Sequence, residues 1–173
     1  MQYERKTFED NLEFQLVRTR VRVRAEETPQ IAARMFKSEL DKESDNPDVS
    51  RYGLVLALTE ASQFDAARDA LAPLLEKDPT RITYQIMRSD IEVAAERYKA
   101  GLDILEAQLK QHPNSYPLII RHAEALMKAG IYQQCADILE RYSTAECAGI
   151  LTAGLKIHEL KRKIPNLNPG ELL

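Results

Sequence analysis

Phe64-Asp65-Ala66-Ala67-Arg68-Asp69-Ala70-Leu71-Ala72-Pro73-Leu74-Leu75-Glu76-Lys77-Asp78-Pro79 is the stretch whose reading decides the fold. It returns 34 residues later: Tyr98 stands for Phe64, Gly101 for Ala67, Leu105 for Leu71 and Pro113 for Pro79. A third copy opens at Tyr132 and continues through Cys135 and Leu139. Upstream of each aromatic, Tyr52, Ile86 and Ile120 share one register, and Ala57, Ile91 and Ala125 share another. A fixed period of this length means stacked copies of one supersecondary unit.

The residue types describe that unit. Ala67, Leu71, Leu74 and Leu75 recur at helical spacing and form one apolar stripe. The small residue three positions after each aromatic lets a second helix approach closely. The aromatic itself fills the space between the two helices. Pro79 and Pro113 cannot continue a helical hydrogen-bond ladder and end the segment. Asp78-Pro79-Thr80 and His112-Pro113-Asn114-Ser115 then supply turn and cap chemistry for the next helix. Ala129-Gly130 closes the first helix of the third unit, and Ser62 takes the corresponding place in the first.

The spacing predicts helix pairs over about 48–61 with 64–77, 81–94 with 98–111, and 115–129 with 132–143. A long helix over about Phe8 to Arg24 and another over about Pro29 to Lys42 precede them. A further helix near Gly149–Lys163 follows, with an irregular end. Val17 to Arg24 also alternates like a strand, but no other segment could pair with it, so it reads as helix. The expectation is one all-α domain: an N-terminal helix pair over 1–47, three repeats over 48–143, and a helix with an irregular tail over 144–173. One helix pair cannot bury its own apolar face, so neighbours stack into a right-handed superhelix of antiparallel pairs. The first helix of each pair lines its concave side.

Composition excludes several classes. The 173 residues carry a net charge of −3, so no global basic field draws the chain to nucleic acid. No apolar run approaches the roughly 18 residues that span a bilayer. Met1-Gln2-Tyr3-Glu4-Arg5-Lys6 has no apolar signal-peptide core. Cys135 and Cys147 are too few for a disulfide framework and match no zinc spacing. Two unpaired thiols are the expectation, although an oxidising compartment would permit one bridge.

Catalytic motifs are missing too. His158-Glu159-Leu160-Lys161-Arg162 begins like HExxH, but Arg162 stands where the second zinc-binding His must be. No GxSxG, phosphate-binding loop or dinucleotide fingerprint occurs. Cys135 sits in a packing position and His112 at a helix end, both ordinary structural places. No metal, cofactor or catalytic residue is therefore expected in this chain.

The period, the aromatic and the small residue resemble the tetratricopeptide (TPR) family over about 48–143. Repeat two departs from that pattern at Ser89 and Glu92, where small and apolar residues are usual. A narrower resemblance covers about 8–143. It rests on Phe8-Glu9-Asp10-Asn11-Leu12-Glu13-Phe14, Val17-Arg18-Thr19-Arg20, Ala32-Ala33-Arg34-Met35-Phe36, Arg51-Tyr52-Gly53-Leu54-Val55-Leu56-Ala57-Leu58, Phe64-Asp65-Ala66-Ala67-Arg68 leading to Leu74-Leu75, and Ala136-Asp137-Ile138-Leu139-Glu140-Arg141-Tyr142. These segments look like the C-terminal TPR region of periplasmic BepA/YfgC-type zinc metalloproteases (peptidase family M-forty-eight). The resemblance fades after Ser143. It implies a periplasmic, non-catalytic domain that recognises polypeptides: outer-membrane β-barrel proteins or their assembly machinery. Zinc would belong to a separate upstream protease domain. Without the resemblance, the expectation is a free-standing cytoplasmic TPR adaptor scaffolding a complex.

Interface residues are expected on the first helices. Arg51, Thr59, Tyr84, Arg88, Tyr116, Arg121 and His122 are the concave-face candidates, because Tyr and Arg are common anchors. Arg18, Arg20, Arg22 and Arg24 are candidates for docking to an acidic surface, such as the protease domain. On a helix, Arg18 shares a face with Arg22, and Arg20 with Arg24. A solvated face, or ion pairs to Glu13, Glu26 or Glu27, is the competing reading.

Overall fold

In a computed structural model, residues 11–26, 28–42 and 46–141 are described. They form eight α-helices and no strand: α1 (Leu12–Ala25), α2 (Pro29–Asp41), α3 (Pro47–Glu60), α4 (Phe64–Lys77), α5 (Ile82–Ala94), α6 (Tyr98–Gln111), α7 (Tyr116–Lys128) and α8 (Tyr132–Arg141). The ambiguous arginine-rich segment is helical throughout α1. The expected helix over 149–163, the irregular tail and Cys147 lie outside the described residues, as do positions 8–10 of the first expected helix.

Helix starts follow local chemistry at the N-terminal end. Asn11 caps α1 by accepting from the Phe14 amide at 3.1 Å, and Thr28 caps α2 by accepting from Ile31 at 3.3 Å. Proline opens α2 and α3, where its missing N–H leaves no intrahelical bond unmade. Two expected caps differ. Arg81 precedes α5, and Thr80 instead donates its hydroxyl to Asp78 at 3.0 Å. Ser115 precedes α7 without a side-chain cap bond. Asp78 organises the α4–α5 turn: it also accepts from Arg81 at 3.1 Å, and the Thr80 hydroxyl leads the contacts that lower its pKa.

The turns within the three pairs are one motif repeated. Ser62, Glu96 and Gly130 all adopt positive φ, at 59°, 59° and 77°. Each N–H bonds back three residues, to Thr59, Val93 and Met127. The next N–H reaches back five, from Gln63 to Leu58, Arg97 to Glu92 and Ile131 to Leu126. This paired bonding satisfies carbonyls that a helix end would otherwise leave open. Only the third copy uses glycine, the residue that suits this backbone best.

The close approach within a pair is equally regular. A Cβ on Gly101 would lie 2.6 Å from Val93 Cγ2 and 3.2 Å from the Ser89 carbonyl oxygen. Ser89 Oγ donates to the Gly101 carbonyl at 2.8 Å. One period later the direction reverses, and Cys135 Sγ donates to the Ala123 carbonyl at 3.4 Å. Ser89 is thus a small residue whose hydroxyl is satisfied internally. Glu92 is also accounted for: it accepts from Arg68 at 2.9 Å and Arg97 at 2.6 Å, tying the second unit to the first.

The core runs the length of the stack. Phe36, Tyr52, Leu71, Leu74 and Ile91 belong to one buried cluster, and Leu105, Leu118, Ile119, Leu126 and Cys135 to another. Helix α5 joins them, with Tyr84, Met87 and Ile91 in the first and Ile86 and Val93 in the second. Each helix packs on its chain neighbour, as in a helical solenoid. Helix α1 departs from that order, because it lies mainly on α3 and less on α2.

Candidate interaction groove

The first helices of the pairs touch one another across units: α3 meets α5, and α5 meets α7. The second helices, α4, α6 and α8, make at most marginal contacts with one another. In an arc of stacked pairs, the helices that stay close are on the inner side. Helix α1 adds a further wall to that side by packing against α3.

A groove of about 220 Å³ opens among these four helices. Leu56 and Ala94 contribute apolar surface beside Thr59, with the buried Val55 and Met87 beneath them. Arg20 and Arg24 enter from α1, and Arg121 and Lys128 from α7. The carboxylates lining it are Glu60 and Asp90. Four cations face two lining carboxylates and Glu124, the bonded partner of Arg121, which leaves the groove slightly positive although the chain carries −3 overall.

The charges are not equally engaged. Arg121 bonds Glu124 at 2.8 Å and lies 3.8 Å from Asp90. Arg20 donates to the Tyr52 hydroxyl at 2.8 Å. Arg24 and Lys128 are exposed and make no ion pair among the described residues. Burial raises the Asp90 pKa, against the opposing pull of Arg121 and Arg20. Burial likewise raises the Tyr52 phenol above its ordinary value, with Arg20 working the other way.

The expected interface residues divide by place. Thr59 and Arg121 line the groove, and Arg88 is exposed on α5. Arg51 is half-buried on α3, and Tyr116 is 36% exposed at the start of α7. Tyr84 and His122 are not at a groove edge. Tyr84 is 2% exposed, inside the first core cluster, with the Arg81 guanidinium 5.4 Å above its ring. His122 is 7% exposed; neither ring nitrogen makes a hydrogen bond, and Nε2 lies 3.8 Å from Glu106 on α6. That burial lowers its pKa, only partly opposed by Glu106.

The four α1 arginines also separate. Arg20 and Arg24 reach the groove together, on the face that they share. Arg22 instead bonds Glu39 at 2.8 Å and lies over the Phe36 ring at 5.1 Å. Glu39 in turn accepts from Ser50 at 3.0 Å, so Arg22 links α1, α2 and α3. Arg18 is exposed beside Phe14, Val17 and Val21, which are 44%, 61% and 64% exposed on the same helix face.

Met87, Asp90, Ala94 and Lys128 were not among the expected residues, yet a signal was present. Met87 and Arg121 are one period apart, as are Glu60, Ala94 and Lys128. Projecting Arg121 back along that register, then stepping three and seven residues along the helix, reaches Asp90 and Ala94. A second cavity of about 480 Å³ lies at the pair turns, but its Arg68 and Arg97 are both bonded to Glu92. Among the described residues, no group of three His, Cys, Asp or Glu side chains could hold a metal. No helix there is long and apolar enough to cross a membrane.

No family model matches the chain, and no solved structure matches it. The chain is similar to the beta-barrel assembly-enhancing protease of Escherichia coli strain K12, with 30% identity over 94 residues. The proteins of the same name from Shigella flexneri and Escherichia coli O157:H7 match to the same extent. The match covers 54% of this chain and 19% of each relative, so it accounts for about a fifth of the relatives' length.

Proposed function

We propose that this chain is a TPR-type polypeptide-binding domain without catalytic activity of its own. In this reading it is the substrate- or partner-recognition part of a periplasmic zinc metalloprotease that acts in outer-membrane protein quality control. The observation that carries the reading is the 94-residue similarity to the beta-barrel assembly-enhancing proteases, on a chain with an open groove along the inner side of its helix stack. Unfolded or partly assembled β-barrel chains are the proposed ligands. The outer face of α1, with Arg18 beside Phe14, Val17 and Val21, is the proposed surface for a neighbouring protease domain. Zinc belongs to that domain, and no residue of this chain is assigned to it.

The test is titration of the purified chain with a urea-unfolded outer-membrane β-barrel protein diluted into buffer. The same barrel, folded in detergent, is the control. Binding of the unfolded form at about micromolar Kd, with no cleavage of the bound chain, supports the proposal. Absence of binding at many times that concentration, or chelator-sensitive proteolysis by the purified chain, overturns it.

A further inference from the structure

We propose that the groove between α1, α3, α5 and α7 selects acidic polypeptide segments. Carboxylate side chains of the ligand pair with Arg24 and Lys128, while an apolar side chain rests on Leu56 and Ala94. This deepens the polypeptide-binding reading above and rests on it.

Charge placement carries the argument. Arg24 and Lys128 stand on two different helices, α1 and α7, that both line the groove. Both are exposed and neither makes a close ion pair among the described residues, although Lys128 acts on Asp90 at longer range. The other two cations are held in place: Arg20 by the Tyr52 hydroxyl and Arg121 by Glu124. Arg20, on a neutral partner, keeps its positive charge uncompensated, whereas Glu124 and Asp90 offset that of Arg121. Thus two cations without a close ion pair line a groove with two bonded ones, on a protein whose net charge is −3. A local field opposite to the global one favours an anionic partner at that place.

The lining also distinguishes among anions. A nucleic-acid groove offers stacking surfaces for bases, but no aromatic side chain lines this one. It offers aliphatic surface at Leu56 and Ala94, which suits a segment mixing acidic and apolar side chains. Asp90 sharpens the choice. Its carboxylate sits within the groove, 3.8 Å from Arg121, and opposes an approaching anion. It admits a ligand whose carboxylates go to Arg24 on α1 and Lys128 on α7 and whose remaining contacts are apolar.

The experiment uses short fluorescein-labelled peptides and fluorescence anisotropy. One peptide carries Glu on both sides of a Leu pair, a second has Gln for Glu, and a third has Lys for Glu. A labelled single-stranded DNA oligonucleotide is included. The Glu peptide is expected to bind about tenfold more tightly than the Gln peptide, the order that two partly screened ion pairs supply. Raising salt from about 50 mM to about 300 mM should remove most of that difference. R24E combined with K128E should abolish the preference, and D90N should strengthen it. Both reversed positions are exposed, and an unchanged circular dichroism spectrum verifies the fold. Equal binding of the Glu and Gln peptides, an unaffected double variant, or preference for DNA overturns the proposal. If the double variant still binds the unfolded β-barrel chain at wild-type strength, the acidic-segment inference falls and the broader reading stands. If the wild-type chain binds neither, both fall.

Discussion

Gly53→Ala sets two physical rules against each other. Gly53 lies inside α3, where helix propensity alone favours alanine by about 1 kcal/mol. The tertiary structure opposes it. A Cβ on Gly53 would lie 2.5, 2.6 and 2.7 Å from three ring carbons of Phe36. Comfortable carbon contacts need about 3.5–4.0 Å, so ring and helix must separate by about 1 Å. The ring cannot yield easily, because Phe36 is fully buried and Arg22 covers it. Overpacking of this kind costs about 1–3 kcal/mol, and three simultaneous clashes place it near the upper end. Less the propensity gain, the net loss is about 2 kcal/mol. Urea denaturation followed by far-ultraviolet circular dichroism measures it, with tyrosine fluorescence testing whether the transition is two-state. Phe36→Leu frees space, so the double variant should recover at least about 1 kcal/mol relative to additivity. A Gly53→Ala midpoint at or above wild type, or additive single and double variants, would refute the packing argument.

Glu96→Gly should stabilise the fold by about 0.5–1 kcal/mol, because glycine relieves the left-handed strain at φ 59° and loses only part of that gain to unfolded-chain entropy; a lower melting temperature than wild type would contradict this. His122 has a folded pKa below the ordinary 6.5, so its contribution to stability is complete above that value and is lost as pH falls from there through the folded pKa. Urea midpoints should therefore fall on acidification from about pH 7.5 to about pH 5.5, and His122→Leu should reduce that dependence; parallel pH profiles for both proteins would count against it. The Cys135 thiol is buried and pushed up to about 11, so alkylation in a Cys147→Ser background should be slow until denaturant opens the third pair. Rapid modification under native conditions would show that α7 and α8 separate readily.

Much of the candidate groove was legible in the sequence, but unevenly. The shared face of Arg20 and Arg24 follows from helical spacing, and both reach the groove. Arg121 shares the register of Met87, which also lines the groove. Tyr84 and His122 share that helix layer, yet their side chains turn into the core and towards α6. Residue type suggested an exposed anchor, whereas position within the 3.6-residue turn decided otherwise. The fate of Arg22 was hidden for a different reason. Its partners Glu39 and Phe36 are on α2, and sequence-local reasoning offered only the acids nearest in the chain.

The sequence by itself determined the helix pairs and their order. The aromatic, the small residue and the leucine recur 34 residues apart, and such a pattern can bury its apolar stripes only by stacking. It also marked the small positions at Ala67, Gly101 and Cys135, since a bulky side chain there would hold paired helices apart. The sequence put Ser62 in the place of Gly130; the structure adds that Glu96 takes the same backbone, because the two backward hydrogen bonds at each turn outweigh side-chain preference. It decided that Ser89 and Glu92 are satisfied departures from the repeat, through bonds to Gly101, Arg68 and Arg97. It also brought α1 onto α3, placing Arg24 and Lys128 on the same groove although they are far apart in the chain. Local propensity fixes which segments become helices; which side chains meet across a groove depends on long-range packing, which no short stretch of sequence encodes.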